Sequence, residues 1–88
     1  MTLYTVVHLF DGTLIDGGIT LHPFTSRNEA LDDMYQQLDK TNGHLDPDEF
    51  QSFYSETFGC AFISHYEATE PHEPAKTVHD HEWRIVSM

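Results

Sequence analysis

The junction Asp11-Gly12, set between two runs of β-forming residues, constrains this chain more than any other stretch. Before it, Tyr4, Val6, His8 and Phe10 alternate with Thr5, Val7 and Leu9. After it, Thr13-Leu14-Ile15 begins a return. Asp-Gly supplies the positive φ angles of a two-residue hairpin turn, so residues 2–24 are read as β-structure. Asp16-Gly17-Gly18 interrupts the return as a second turn or a bulge before Ile19 to Phe24 continues it. Pro23 puts the end of that strand at an edge or a terminus.

Residues 26–40 are read as a helix. Ser26-Arg27-Asn28-Glu29 is a capping box, and Ala30, Leu31, Met34, Tyr35 and Leu38 share one helical face. Thr41-Asn42-Gly43 closes it. Asp46-Pro47-Asp48-Glu49 then repeats the opening signature, with a cap, a proline at the first helical position and an acid three residues on. Phe50, Phe53, Tyr54 and Phe58 would form the apolar face of this second helix, and Gly59 its end. Cys60 to Ala68 reads as a strand, 69–76 as a polar, proline-containing loop, and 77–88 as the last strand, clearest at Trp83-Arg84-Ile85-Val86. The expected fold is one α+β domain over 1–88, an antiparallel sheet with a two-helix hairpin packed on one face, in the order β-β-(β)-α-α-β-β.

Charge limits the function classes. The 88 residues hold fifteen Asp plus Glu against four Lys plus Arg, a formal charge of −11. No cationic footprint exists for nucleic-acid phosphates, so direct nucleic-acid binding is not expected, nor docking on an anionic membrane. No apolar run approaches the roughly 18 residues of a membrane span. The start, MTLYTVVHLFDG, lacks a basic n-region, so a secretory leader is not expected. The single cysteine, Cys60, excludes an internal disulfide and favours a reducing compartment.

Several motifs resemble sites without completing one. Phe10-Asp11-Gly12-Thr13-Leu14-Ile15-Asp16 resembles the first motif of haloacid-dehalogenase-type phosphatases, but the nucleophile's position is Leu9, and the stretch reads as a hairpin turn. Leu38 to Phe50 resembles an EF-hand loop. With Gly43 at position 6, Asn42, Asp46 and Glu49 match, whereas Leu38 and Lys40 stand where acids are needed. A shortened metal-binding loop over 39–49, through Asp39, Asn42, Asp46 and Glu49, is the alternative function. The His-rich segment 72–81 is a second metal candidate: His79 and His81, two apart, would share a strand face near His72, Glu70, Glu73, Asp80 and Glu82. Cys60 and His65, five apart, would fall on opposite strand faces. No constellation makes an active site, so no catalysis and no cofactor is expected.

The sharpest signal is the density of carboxylates between Asn28 and Cys60. Glu29, Asp32, Asp33, Asp39, Asp46, Asp48, Glu49 and Glu56 face one base, Lys40. Acids favour helix N-termini through the dipole, yet here no lysines offset them through i, i+4 pairs. Such self-repulsion costs compactness and suggests a partner of opposite charge. These eight residues are the candidate partner-binding set, with Tyr35, Tyr54 and His44 as candidate aromatic anchors.

In profile the chain is similar to small phage-encoded anti-defence inhibitors: anti-CRISPR proteins, anti-restriction DNA mimics and the uracil-DNA glycosylase inhibitor. The shared features are small size, strong acidity, an α+β pattern and no active site. The resemblance implies a non-enzymatic nucleic-acid mimic in the cytoplasm of a bacterial host cell. Its partner would be a basic nucleic-acid-binding protein, a CRISPR effector or nuclease. A homodimer stays open, because an exposed strand edge such as Trp83 to Ser87 could pair with a second copy. With all seven histidines titrating near 6.5, charge would move from −11 toward −4 by pH 5.5.

Overall fold

The computed structural model describes residues 2–20, 22–67, 71–72 and 76–87, with the backbone alone at Asp16. Among the described residues five strands and one helix run in the order β1 (Tyr4–Phe10), β2 (Thr13–Ile19), α1 (Arg27–Asn42), β3 (Gln51–Ser55), β4 (Cys60–Glu67) and β5 (Lys76–Ser87). The strands form one antiparallel sheet in the order β2-β1-β5-β4-β3.

The N-terminal hairpin turns at Asp11 and Gly12, whose φ angles are 51° and 77°, the pair of positive values that a type I′ turn needs. β1 and β2 pair at Phe10–Thr13 and Leu9–Leu14 and not again until Val7–Ile19. Ile15-Asp16-Gly17-Gly18 therefore face only His8. A Cβ on Gly18 would lie 2.5 Å from the His8 carbonyl oxygen, so only glycine admits this approach. The strand expected to run on to Phe24 ends at Ile19. Phe24 survives as a single bridge to Tyr4, because Pro23 has no N–H to extend the ladder.

α1 lies across one face of the sheet. Ser26 caps it, its hydroxyl accepting from the Asn28 amide at 3.2 Å. Ala30, Leu31, Met34 and Leu38 are buried against Val6, Ala61, Ile63 and Trp83, which together make the core. Trp83 is wholly buried, and its indole N–H donates to Gln37 Oε1 at 3.2 Å. Its polar handle is thus satisfied from the covering helix.

The two-helix hairpin is not formed. Asp46 begins one turn only: its carboxylate accepts from the Asp48 amide at 2.9 Å, and the Phe50 amide reaches the Asp46 carbonyl at 3.0 Å. The chain then straightens into β3. Gln-Ser-Phe-Tyr-Ser is poor in helix formers, and its alternation serves a sheet. Ser52 and Tyr54 pair with the buried Ile63 and Ala61 and so face α1, whereas Gln51, Phe53 and Ser55 face away. The aromatic set expected on one helical face is split, leaving Phe53 55% and Phe58 82% exposed. Trp83–Ser87 is likewise no edge: β5 is central, flanked by β1 and β4. The free edges are β2 and β3.

Candidate functional site

The eight nominated carboxylates surround β3 and α1. Glu29, Asp32, Asp33 and Asp39 ride on α1; Asp46, Asp48 and Glu49 occupy the turn entering β3; Glu56 lies in the turn leaving it. All are exposed except Asp33, which is half-buried and accepts from Gln37 at 2.8 Å. Among the described residues the ion pairs are His65–Glu67, His65–Asp80 and Arg84–Glu82, so none of the eight is neutralised by a cation. Arg27, at the start of α1, is engaged elsewhere. Its guanidinium donates to the carbonyls of Glu56 and Thr57, tying the β3–β4 turn to the helix.

Between α1 and β3 runs a groove. Tyr35 and Tyr54 meet across it edge to face, with ring centroids 5.3 Å apart. A cavity of about 340 Å³ lies on one side of the pair, lined by Asn28, Leu31, Asp32 and Glu56 with the two tyrosines. One of about 220 Å³ lies on the other, lined by Leu38, Asp39, Asn42 and Ser52 with the same tyrosines. Burial first, then the carboxylates of Glu56 and Asp32, hold the Tyr54 phenol above its ordinary pKa. Carboxylates around an aromatic pair suit a guanidinium or ammonium group. The sequence named both tyrosines as candidate anchors, and the structure brings their rings together. The groove was not legible, because it depends on residues 51–55 being an edge strand. His44, the third candidate anchor, is exposed beyond the end of α1 and lines neither cavity.

A second cluster lies past the helix on the same face. His8 and His81 share a hydrogen bond of 2.9 Å between ring nitrogens and stack with Trp83, while Phe10 leans on His81. Burial, then the proximity of His81, lowers the His8 pKa to about 4. Burial also lowers that of His81, against the opposing pull of Asp80. His65 behaves oppositely. Hydrogen bonds to Asp80 and then Glu67 raise its pKa. Ser64 Oγ and His79 Nδ1 lie 2.7 Å apart on the far face. That imidazole packs on Phe62, and among the described residues no carboxylate orients it.

Among the described residues the metal alternatives do not assemble. Asp39 lies within α1, whose hydrogen bonding continues through the Gly43 amide to the Asp39 carbonyl, so 39–49 is not an open coordinating loop. The Asp46 carboxylate is taken by its own turn. His79 and His81 do not share a face: the register shift that separates Ile63–His81 from Ser64–His79 is a bulge at Asp80, which turns them to opposite sides. His72 is exposed, and Glu70 and Glu73 lie outside the described residues, as does most of the 69–76 loop. Among the described residues no group of three or more His, Cys, Asp or Glu is placed to hold a metal ion, and no helix is long and apolar enough to cross a membrane.

No family model matches the chain, and comparison with curated proteins and with solved structures returns no significant match.

Proposed function

We propose that this protein is a non-enzymatic inhibitor that occupies the basic nucleic-acid-binding surface of another protein. The observation that carries the reading is the set of eight carboxylates around α1 and β3, none in an ion pair with a cation among the described residues. A solvated acidic surface usually carries interleaved lysines; this one keeps its field for a partner. The groove tyrosines supply the aromatic anchors that concentrate binding energy at interfaces. A CRISPR effector or a nuclease offers a matching Lys/Arg-lined channel, and the place of action is then the cytoplasm of a bacterial host cell.

The test is displacement. Increasing amounts of the protein are added to purified effectors and nucleases holding fluorescent nucleic acid, and release is followed by anisotropy. Stoichiometric, salt-sensitive release from one enzyme class supports the reading. Failure to release nucleic acid from any of them at low salt contradicts it.

A further inference from the structure

Building on that acidic-binder reading, we infer that the groove between α1 and the free edge of β3 accepts an extended, cationic segment of another polypeptide as a sixth strand of the sheet. The two free edges differ. β2 is broken by the unpaired stretch from Ile15 to Gly18, which spoils it as a template. β3 pairs with β4 in unbroken register from Gln51–Ser64 to Ser55–Cys60. It contains no proline, no lysine and no bulge, the usual devices that blunt an edge. Such an edge offers backbone pairing to an added strand, and α1 alongside supplies a wall for its side chains.

The contents of the groove select the occupant. An added strand would turn every second side chain toward α1, at intervals of about 6.6–6.8 Å. The two cavities flanking Tyr35 and Tyr54 lie along that row, from Ser52 past Tyr54 to Glu56. One presents Asp32 and Glu56, the other Asp39, and the half-exposed Tyr35 ring offers a face to a guanidinium. Neither cavity is lined by a base, and Arg27 is committed to backbone carbonyls. An apolar or acidic segment would bury these carboxylates without compensation. A second copy of β3 brings no cation and is flanked by Glu49 and Glu56, so it is disfavoured as the occupant.

The experiment titrates the full chain with a fluorescein-labelled nine-residue peptide of alternating arginine and threonine. A peptide of the same sequence, N-methylated on its backbone amides, keeps the charge and loses strand pairing. The expected result is salt-sensitive binding of the first, binding of the second weaker by about tenfold or more, and new hydrogen-exchange protection at β3 amides. Combining Asp32→Asn, Asp39→Asn and Glu56→Gln, all exposed positions, should weaken the first peptide about tenfold with the circular dichroism spectrum unchanged. Equal binding of the two peptides overturns strand addition while leaving the acidic-binder reading standing. Absence of binding by either at low salt overturns this groove as the site, and the displacement assay still decides the broader reading. A dimer through β3, detected by sedimentation and abolished by Phe53→Pro, would give the edge to a second copy and also overturn the inference.

Discussion

Residues 26–43 and 46–59 open with nearly the same signature and end in different structures. Each begins with a capping side chain, carries an acid three residues on and continues with apolar residues at helical spacing. The first becomes α1; the second makes one turn and becomes β3. The cap does not decide between them, since both Ser26 and Asp46 hold an amide two residues ahead. The difference lies in the residues after each cap. Ala30, Leu31, Met34, Gln36, Gln37, Leu38 and Lys40 favour helix, while Ser52, Phe53, Tyr54 and Ser55 do not. Neighbours complete the choice: Ser52 and Tyr54 can pair with Ile63 and Ala61 of β4, which half-buries Tyr54, only if the segment is extended. Local signals nominate starts, and propensity with tertiary pairing decides how far an element runs.

The largest effects should separate the buried face of α1 from the outward aromatics of the second segment. Met34→Ala and Trp83→Ala each remove a wholly buried side chain and should cost about 2–5 and about 3–5 kcal/mol. For a domain of this size either lowers Tm by about 10 °C or more, at about 4–8 °C per kcal/mol. Phe58→Ala should change stability by less than about 0.5 kcal/mol, because the ring is 82% exposed. Similar Tm losses for Met34→Ala and Phe58→Ala would show that the second segment packs as a helix after all.

Next come the caps. Ser26→Ala should cost about 1 kcal/mol and reduce the helical ellipticity at 222 nm. Asp46→Ala should leave that signal unchanged, because its turn precedes a strand. Loss of helical signal in the Asp46 variant would contradict the assignment of β3.

The smallest effects are those of pH, and they run in opposite directions from two histidines. The His65 pKa is raised on folding, so its contribution is fully present below about 6.5 and is lost as pH rises through the folded value. The His8 pKa is depressed, so its contribution is present above about 6.5 and is lost as pH falls toward about 4. Stability should therefore be greatest near pH 6.5. Urea titrations should show His65→Gln flattening the alkaline limb and His8→Phe the acid limb. A profile unchanged by either substitution would show that neither histidine shapes it. The shift of charge toward −4 at pH 5.5 is also reduced, since His8 and His81 resist protonation and His65 holds its proton to higher pH.

Legibility in the sequence tracks how local each determinant is. The Asp11-Gly12 turn and the start of α1 are set by adjacent residues and can be read directly. The central place of β5 and the edge position of β3 depend on which strands meet, and nothing local to Trp83 or Phe53 reports that. The facing of His79 and His81 depends on one bulge at Asp80, which the alternation pattern hides. The eight carboxylates could be nominated because charge without nearby lysines is visible in composition. That Asp32, Asp39 and Glu56 line a groove could not be read, since the residues between Asp46 and Glu56 change face when helix becomes strand.

Whether these carboxylates bind a cationic surface is decided by the affinity for a displaced effector, measured at low and at moderate salt. The wild type is compared with a variant combining Asp32→Asn, Asp39→Asn, Asp48→Asn and Glu56→Gln. Affinity should fall steeply with salt for the wild type, and the variant should bind more weakly by about tenfold or more with a shallower salt slope. Equal affinities and equal slopes would show that the carboxylates do not make the interface.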